Sequence, residues 1–381
     1  MTDKKKKRER RIRKTAAYGL AFTLVFTTLA GCAKDTKTAA PSASASTSAP
    51  SASPAGTAPT VSAAAAVAAA PAKDDYVLHI GYGGGLCEAA LHIAIEKGFF
   101  AAEGLKFTTT KVDSATSLEL ISTKKIDASF GLLAKMIPPI ENGLDIQFVT
   151  GVHTGCIRIL VPAGSKIKSL ADLKGKKIGV PGLTSSPAVV ARRALAKAGV
   201  GVDEKNMEVE FVNYSAADLP LALKNGAVDA IAHSDPQAIV AEKDQNLTEL
   251  LNTATDPFFK NEYCCVAYLR RDIVEQHPEV AAKYARAIQK AAHWVAEHPD
   301  EAAQIQVDKK WVPGDPKLNG EVLATYDFRP SGSGAKEALE VTAKDLQSLG
   351  LLKKDTDLKK LVDRSYIHLD GVEDTEVKLN K

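Results

Sequence analysis

The 381-residue chain lacks the short motifs that identify most enzymes and metal proteins. It has no Gly-x-Ser-x-Gly or His-Glu-x-x-His string, the signatures of many hydrolases and zinc proteases. The run Gly81–Leu86 ends in leucine where a dinucleotide-binding loop needs glycine. No Cys-x-x-Cys pair occurs, so the usual zinc signal is missing as well. These absences predict no catalytic residue, no resident metal and no cofactor.

Long apolar runs are also scarce, and the one at the N-terminus is short. Ala16–Ala30 spans 15 residues, fewer than the ~20 that cross a bilayer, so a transmembrane helix is disfavoured. A basic run, Lys4–Lys14, precedes this segment, and Leu29-Ala30-Gly31-Cys32 follows it. This order predicts a signal peptide over 1–31 and looks like the lipobox of bacterial lipoproteins. We therefore expect cleavage before Cys32, a lipid on Cys32, and a location outside the cytoplasm at the cell membrane.

The basic balance of the chain belongs to this leader. The chain has 49 basic and 46 acidic residues, and segment 1–31 holds 9 and 2 of them. The remainder has 40 basic and 44 acidic residues, a net charge of −4. No excess of positive charge is left to indicate nucleic acid, and we expect no nucleic-acid partner.

The segment 32–75 has almost no large apolar side chain. Alanine, serine, threonine and proline dominate it, and such a composition cannot bury enough surface to offset its ordering entropy. We interpret it as a tether, although its alanine-rich run at 62–70 allows a short helix. The folded part then begins near Tyr76, and its roughly 300 residues are enough for two lobes with cores of their own.

Strands alternate with helices from Tyr76 onward, which is typical of a mainly parallel α/β sheet. The alternation restarts near Leu170, so we predict two consecutive α/β units. The extended segments Ile146–Val161 and Tyr263–Leu269 are interpreted as crossings between them. The fold class predicted is a two-lobed α/β clamshell, with lobe I at 76–160 and 270–381 and lobe II at 161–269. The main predicted helices are Cys87–Phe100, Ser114–Ser122, Ala134–Asn142 and Ser185–Gly199.

Four strings in this order resemble a known family. They are His79-Ile-Gly-Tyr82 with Ala94-Ile-Glu-Lys-Gly-Phe-Phe-Ala-Ala-Glu-Gly-Leu105, Lys125-Ile-Asp-Ala-Ser-Phe-Gly131, Ser169-Leu-Ala-Asp-Leu-Lys-Gly-Lys-Lys-Ile-Gly-Val180, and Leu223-Lys-Asn-Gly-Ala-Val-Asp-Ala-Ile231. Together they are similar to the substrate-binding proteins of ABC importers for nitrate, aliphatic sulfonates, taurine and thiamine-pyrimidine precursors. The resemblance implies a type II periplasmic-binding-protein fold and a ligand between the lobes. It also implies an ABC permease and its ATPase subunits as partners of a monomer.

The candidate ligand-binding residues lie where this fold places its cleft. Glycines after the first strand let backbone approach a ligand closely, and hydroxyls before the helix at Ser185 combine with its positive end to suit an anion. Each of these features also has a purely structural interpretation: the glycines as a simple turn, Ser185 as a helix N-cap, and His233 as a structural histidine. The candidates are Tyr82, Gly84, Gly85, Leu86, Cys87, Gly131, Leu132, His153, Thr154, Gly155, Thr184, Ser185, Ser186, His233, Asp235 and Tyr263.

Besides Cys32, four cysteines remain: Cys87, Cys156, Cys264 and Cys265. An exported chain permits a disulfide from Cys156 to Cys264 or Cys265. Neighbouring strand residues point to opposite faces, so only one of that pair is expected to face the cleft. The alternatives are free buried thiols, or a cluster of Cys87, His153, Cys156 and His233 for a soft metal, a metalloid or a sulfur compound.

The leading functional hypothesis is an importer's binding protein for a small solute, such as a nitrate-, sulfonate- or taurine-like anion. One alternative is a binding protein of the same fold whose cleft cysteine and histidine residues bind a soft metal, a metalloid or a sulfur compound. Another is a surface receptor that senses a ligand without transport. A third is an enzyme like the thiamine-pyrimidine synthases, against which the export signal and the missing cofactor motif argue.

Overall fold

The computed structural model describes residues 74–112, 116–203 and 205–374. The predicted signal peptide, Cys32 and nearly all of the predicted tether lie outside these residues. In the part of the chain that is described, no helix is both long and apolar enough to cross a membrane.

The first sheet has five strands in the order β2-β1-β3-β12-β4. Strands β1, β2 and β3 run parallel, whereas β12 is antiparallel to both of its neighbours. The strands are β1 (Val77–Tyr82), β2 (Lys106–Lys111), β3 (Ala128–Leu132), β4 (Ile146–Thr154) and β12 (Tyr263–Arg270).

The second sheet also has five strands, in the order β11-β5-β10-β6-β9. Its core pairs β10-β6 and β6-β9 are parallel, and β5 pairs antiparallel with β10 and β11. The strands are β5 (Ile157–Pro162), β6 (Lys177–Val180), β9 (Glu210–Asn213), β10 (Ala230–Ser234) and β11 (Leu247–Asn252), and a small hairpin adds β7 (Val202–Asp203) and β8 (Asn206–Met207).

Both sheets are mixed rather than mainly parallel, because the crossing strands pair antiparallel. The chain leaves the first sheet after Thr154 and enters the second at Ile157. It returns between Asn252 and Tyr263. The lobe limits drawn from the sequence, at 160/161 and 269/270, stay predictions.

The predicted helix Cys87–Phe100 is broken into three pieces. A 3₁₀ turn covers Leu86–Glu88, and two α-helices follow on either side of Gly98, whose φ of 74° ends the regular helix. The α-helices between β1 and β11 are α1 (Ala89–Glu96), α2 (Phe99–Ala102), α3 (Ser117–Ser122), α4 (Ile137–Glu141), α5 (Ser186–Lys197), α6 (Leu219–Lys224) and α7 (Gln237–Gln245).

Helices after β12 cover the first sheet. The longest begins at Pro278, whose fixed φ suits the first turn. It buries Tyr284, Ile288 and Val295 along one face against α1, α2 and β4. These helices are α8 (Arg271–Gln276), α9 (Pro278–Glu297), α10 (Pro299–Asp308), α11 (Pro316–Leu323), α12 (Gly332–Ser348) and α13 (Leu358–Ser365).

Candidate functional site

Elements of the two sheets meet at the N-terminus of α5. The 3₁₀ turn Leu133–Lys135 follows β3 of the first sheet, and the Lys135 amide donates a hydrogen bond of 3.2 Å to Ser186 Oγ. A cavity opens beside this contact. Its water-accessible volume is about 20 Å³, which is enough for one or two water molecules. Its lining residues are Leu132, Leu133, Ala134, Ile157, Ser186, Val190, Arg193, Thr253, Phe259, Glu262, Tyr263, Cys264 and Thr342. Three predicted site residues, Leu132, Ser186 and Tyr263, therefore surround one cavity.

The N-terminus of α5 is capped by Ser185, as its sequence predicts. Ser185 Oγ accepts from the Ala188 amide at 3.4 Å and donates to the Gly182 carbonyl at 2.7 Å. Thr184 is exposed, and Ser186 is buried. The cap and the positive end of the helix dipole coexist here, so the capping role does not remove the capacity to attract an anion.

The cation in the cavity wall is already neutralised. Arg193 pairs with Glu262 at 2.5 Å and with Asp345 of α12 at 2.7 Å, and Thr342 donates to the same Glu262 carboxylate. Burial lowers the pKa of Arg193, and attraction to Glu262 and Asp345 raises it by more. This ion pair joins α5 to α12 and leaves little positive charge for a bound anion.

The predicted glycine loop has a buried carboxyl group next to it. The Gly83 amide donates to Glu88 Oε2 at 2.6 Å. Burial, followed by the nearby Cys87 thiol, raises the pKa of Glu88 to about 8. Burial also lowers the pKa of His92, one turn on, to about 3. Both side chains are therefore held close to neutral around the loop.

An aromatic wall forms at Tyr82, and its other member, Trp311, comes from far along the chain. The ring centroids of Tyr82 and Trp311 lie 4.5 Å apart, and Trp311 stacks on His92 at 4.7 Å. A Cβ on Gly84 would lie 3.4 Å from the Trp311 carbonyl oxygen. Trp311 follows α10, and no local signal in the sequence connects it with the loop; Glu88 was also missed, although it directly follows Cys87.

His153 lies buried where the first loop meets the first crossing. Its Nε2 is 2.9 Å from the Cys87 carbonyl oxygen and its Nδ1 is 2.9 Å from that of Thr154. Its ring stacks on Tyr326 with centroids 5.2 Å apart. The neighbouring Gly155 has a φ of 86°, and a Cβ there would approach Ala254 to 2.9 Å, so glycine is required at this position.

His233 and Asp235 are both engaged inside the protein. The Ser234 amide donates to His233 Nδ1 at 2.8 Å, and Nε2 donates to the Ala216 carbonyl at 2.9 Å. Asp235 accepts from Arg158 Nε at 3.1 Å and from the Tyr326 hydroxyl at 2.9 Å. Such bonds are typical of side chains with a structural role, which is the alternative to ligand binding for this loop.

The Tyr263 hydroxyl is also engaged within the protein, where it donates a hydrogen bond to the Arg329 carbonyl. Its buried ring fills the space over Gly151 and Gly334, where added Cβ atoms would come within 2.6 and 2.3 Å of it. Gly131 pairs with Val266 of β12. The structure thus brings Leu132, Ser186 and Tyr263 to the cavity at α5 and places Tyr82 against Trp311 beside the glycine loop.

The four described cysteines converge with His153. Sγ atoms of Cys87, Cys156 and Cys265 lie within 4.8 Å of one another, and His153 groups with Cys264 and Cys265 over the same limit. Thiolate and imidazole donors at this spacing suit a soft cation. Among the described residues, His233 belongs to neither group, so the cluster predicted from the sequence loses one member and gains two.

One expectation about these cysteines is wrong. Cys264 and Cys265 were expected to point to opposite faces, yet both reach the same cluster. The register of β12 against β4 shifts between Tyr263 and Cys265, and this bulge leaves Cys264 outside the alternation. The four thiols are free, so the disulfide alternative is not formed here.

Comparison with known proteins extends the picture over most of the chain. The family model described as "NMT1/THI5 like" matches residues 88–302, more than half of the chain. A putative thiamine biosynthesis protein of Haemophilus influenzae is 26% identical over 289 residues, 71% of this chain and 86% of that protein. A putative aliphatic sulfonates-binding protein of Bacillus subtilis is 26% identical over 286 residues, 73% and 83% of the two chains.

Solved structures agree on the fold. The periplasmic aliphatic sulphonate binding protein of Escherichia coli matches with a TM-score of 0.64 at 19% identity, covering 80% of this chain and 96% of that one. The type II periplasmic-binding-protein fold and the family resemblance inferred from the sequence are confirmed.

An enzyme also appears among the relatives. A 4-amino-5-hydroxymethyl-2-methylpyrimidine phosphate synthase of Aspergillus parasiticus is 25% identical over 254 residues, 60% of this chain and 68% of that protein. Other relatives and the solved structure are named as binding proteins, and the comparisons favour solute binding over the soft-metal, receptor and enzyme alternatives.

Proposed function

Because the chain belongs to the NMT1/THI5-like family, we propose that it is the extracytoplasmic solute-binding component of an ABC importer. It captures a small solute and delivers it to a permease driven by ATPase subunits. The observation that carries this proposal is the contact between the turn after β3 and the N-terminus of α5, since these elements follow strands of different sheets and the Lys135 amide donates to Ser186 Oγ there. Relatives whose names include sulfonate binding support it.

The mechanism proposed is closure of two lobes about the two crossings. The lobes are those drawn from the sequence, and the crossings hold Gly155 with Cys156 and the start of β12. A solute that contacts both lobes stabilises the closed form, which then docks on the permease. The sixteen candidate residues retain their proposed role in binding, with the exposed Thr184 and the capped end of α5 as the polar contacts.

The solute class proposed is a nitrate-, sulfonate- or taurine-like anion or a related small molecule. The helix N-terminus favours a negative group nearby, and a protonated Glu88 does not repel one. The Arg193 ion pair sets a limit, since its cation is shared between two carboxylates. A zwitterion or a weakly hydrated anion therefore suits this wall better than a multiply charged one.

Membrane attachment and the absence of catalysis complete the proposal. We propose that Cys32 carries a lipid and that the segment to residue 75 tethers the folded part as a monomer beside its permease. We also propose that the chain is not an enzyme, and recovery of an unchanged solute is the check on this point.

Substitution at the α5 N-terminus tests the site. Thr184→Ala and Ser185→Ala should each weaken solute binding several-fold in calorimetry, because a hydroxyl contact is worth about 1 kcal/mol. Ser185→Ala also removes an N-cap, which costs about 1 kcal/mol of stability. The control is Asp357→Ala, which removes the N-cap of another helix, α13. It should leave the affinity for the solute unchanged. Equal affinity for parent and both hydroxyl variants would rule out this contact.

A further inference from the structure

The two crossings approach each other most closely through a pair of sulfur atoms. Cys156 lies between β4 and β5, and Cys264 lies at the start of β12. Their Sγ atoms are 3.3 Å apart, inside the ordinary contact distance of two sulfurs. The two residues are separated by more than a hundred positions, so this approach is a product of the fold.

The backbone is bent at both positions to bring these thiols together. Cys156 has a φ of 92°, a region that residues other than glycine rarely adopt. The preceding residue, Gly155, also has a positive φ, of 86°. On the other strand, the bulge between Tyr263 and Cys265 turns Cys264 toward Cys156. A rare φ at Cys156, opposite a strand bulge at Cys264, points to a use for this pair of thiols.

The four thiols of the cluster differ in access and acidity. Cys264 is partly exposed and lines the cavity, whereas Cys87, Cys156 and Cys265 are buried. Burial raises the pKa of Cys264, but hydrogen bonds from Cys156 and Cys265 outweigh it and bring the pKa down to about 7. Burial raises the pKa of Cys156 to about 12. Cys264 is thus the thiol that a reagent meets first, with Cys156 directly behind it.

We propose that Cys156 and Cys264 form a redox-active dithiol that a small dialkyl disulfide converts reversibly into a disulfide. The Cys264 thiolate attacks one sulfur of the oxidant, and the first thiol of the oxidant leaves. Cys156 then attacks Cys264 Sγ in the mixed disulfide and displaces the second. Two thiols are oxidised, one disulfide is reduced to two thiols, and the two protons leave with those thiols.

The bond would join the first crossing to the second. Because closure of the proposed lobes turns about these segments, the oxidised chain should open less freely than the reduced one. Its melting temperature should rise, since the bond closes a long loop in the unfolded chain.

Thiol mapping of the full chain tests this inference without any solute. Reduced protein, kept with EDTA to exclude metal, is incubated with hydroxyethyl disulfide, alkylated with N-ethylmaleimide, and analysed by peptide mass spectrometry. We expect two fewer free thiols per chain, a cross-linked peptide joining residues 156 and 264, and full recovery with dithiothreitol. Cys265→Ser, the matched change on the same strand, should still form this bond, and Cys264→Ser should not.

Three results would overturn the inference. They are a full count of free thiols after oxidation, a mixed disulfide on Cys264 that never resolves, and a bond from Cys265 or Cys87 instead of Cys264. Circular dichroism of each variant confirms the native fold, and Cys264→Ala serves if Cys264→Ser misfolds. Because no solute is involved, either outcome is independent of the importer proposal.

Discussion

At the scale of single residues, Glu88 controls the charge beside the glycine loop. Its carboxyl group receives the Gly83 amide, only 14% of the side chain is exposed, and its pKa is raised to about 8 chiefly by burial. The folded chain therefore keeps this proton over a pH range in which an unfolded glutamate has lost it. Stability from protonated Glu88 is complete below pH ~4.3, the unfolded pKa, and is lost as the pH rises toward 8.

Glu88→Gln should remove this pH dependence, because glutamine stays neutral. We expect the free energy of unfolding of the variant to exceed that of the parent at pH 8 by on the order of 5 kcal/mol, and to match it near pH 4. Urea unfolding at several pH values measures the difference. Glu275→Gln, on an exposed glutamate, is the control and should show no such trend. Parallel pH curves for parent and Glu88→Gln would contradict the assignment.

The role of a residue could be predicted from the sequence where its partners are close to it in the chain. Ser185 was predicted to cap a helix, and its Oγ does receive the Ala188 amide. The partners of the glycine loop were not readable, because Trp311 reaches Tyr82 from more than two hundred positions away. The engagement of His233 with Ala216 depends in the same way on tertiary packing.

At the scale of elements, the Arg193 ion pair connects α5 with α12 and the loop before β12. Arg193 is almost fully buried, and Phe258 and Phe259 pack over its guanidinium. Breaking one partner of such a pair leaves the other charge buried and unpaired, which costs about 3–5 kcal/mol. The pair therefore matters more as a constraint on geometry than as a source of net stability.

Arg193→Met should destabilise the chain by about 3 kcal/mol, because Glu262 loses its main partner. The double variant Arg193→Met with Glu262→Gln should recover part of that loss, since the Glu262 charge is then removed and only the partly exposed Asp345 is left without its partner. Urea unfolding midpoints for the four chains form the cycle that measures it. Strictly additive losses would show that the two side chains do not act as a pair.

Elements were predicted better than their details. The crossing segments, the helix at Ser185 and the alternation of strands and helices follow from periodicity and turn residues. The break of the first helix at Gly98 and the bulge at Cys264 do not, because each depends on how the segment packs against its neighbours. That bulge is the reason why two adjacent cysteines enter one cluster.

At the scale of the whole molecule, the account rests on two mixed sheets joined by two crossings. The fold and the family follow from the order of a few strings in the sequence and are confirmed by comparison. The solute does not follow from them, because it is fixed by a small number of contacts that differ among proteins sharing this fold. The lipid on Cys32 and the permease likewise remain proposals.

The most direct test of the central claim is titration calorimetry of the purified chain against nitrate, taurine, alkanesulfonates and pyrimidines, with mass analysis of the recovered solute. We expect saturable binding of one solute per chain, a raised melting temperature, and a solute that is recovered chemically unchanged. Recovery of an altered solute, or no saturable binding across the whole panel, would contradict it.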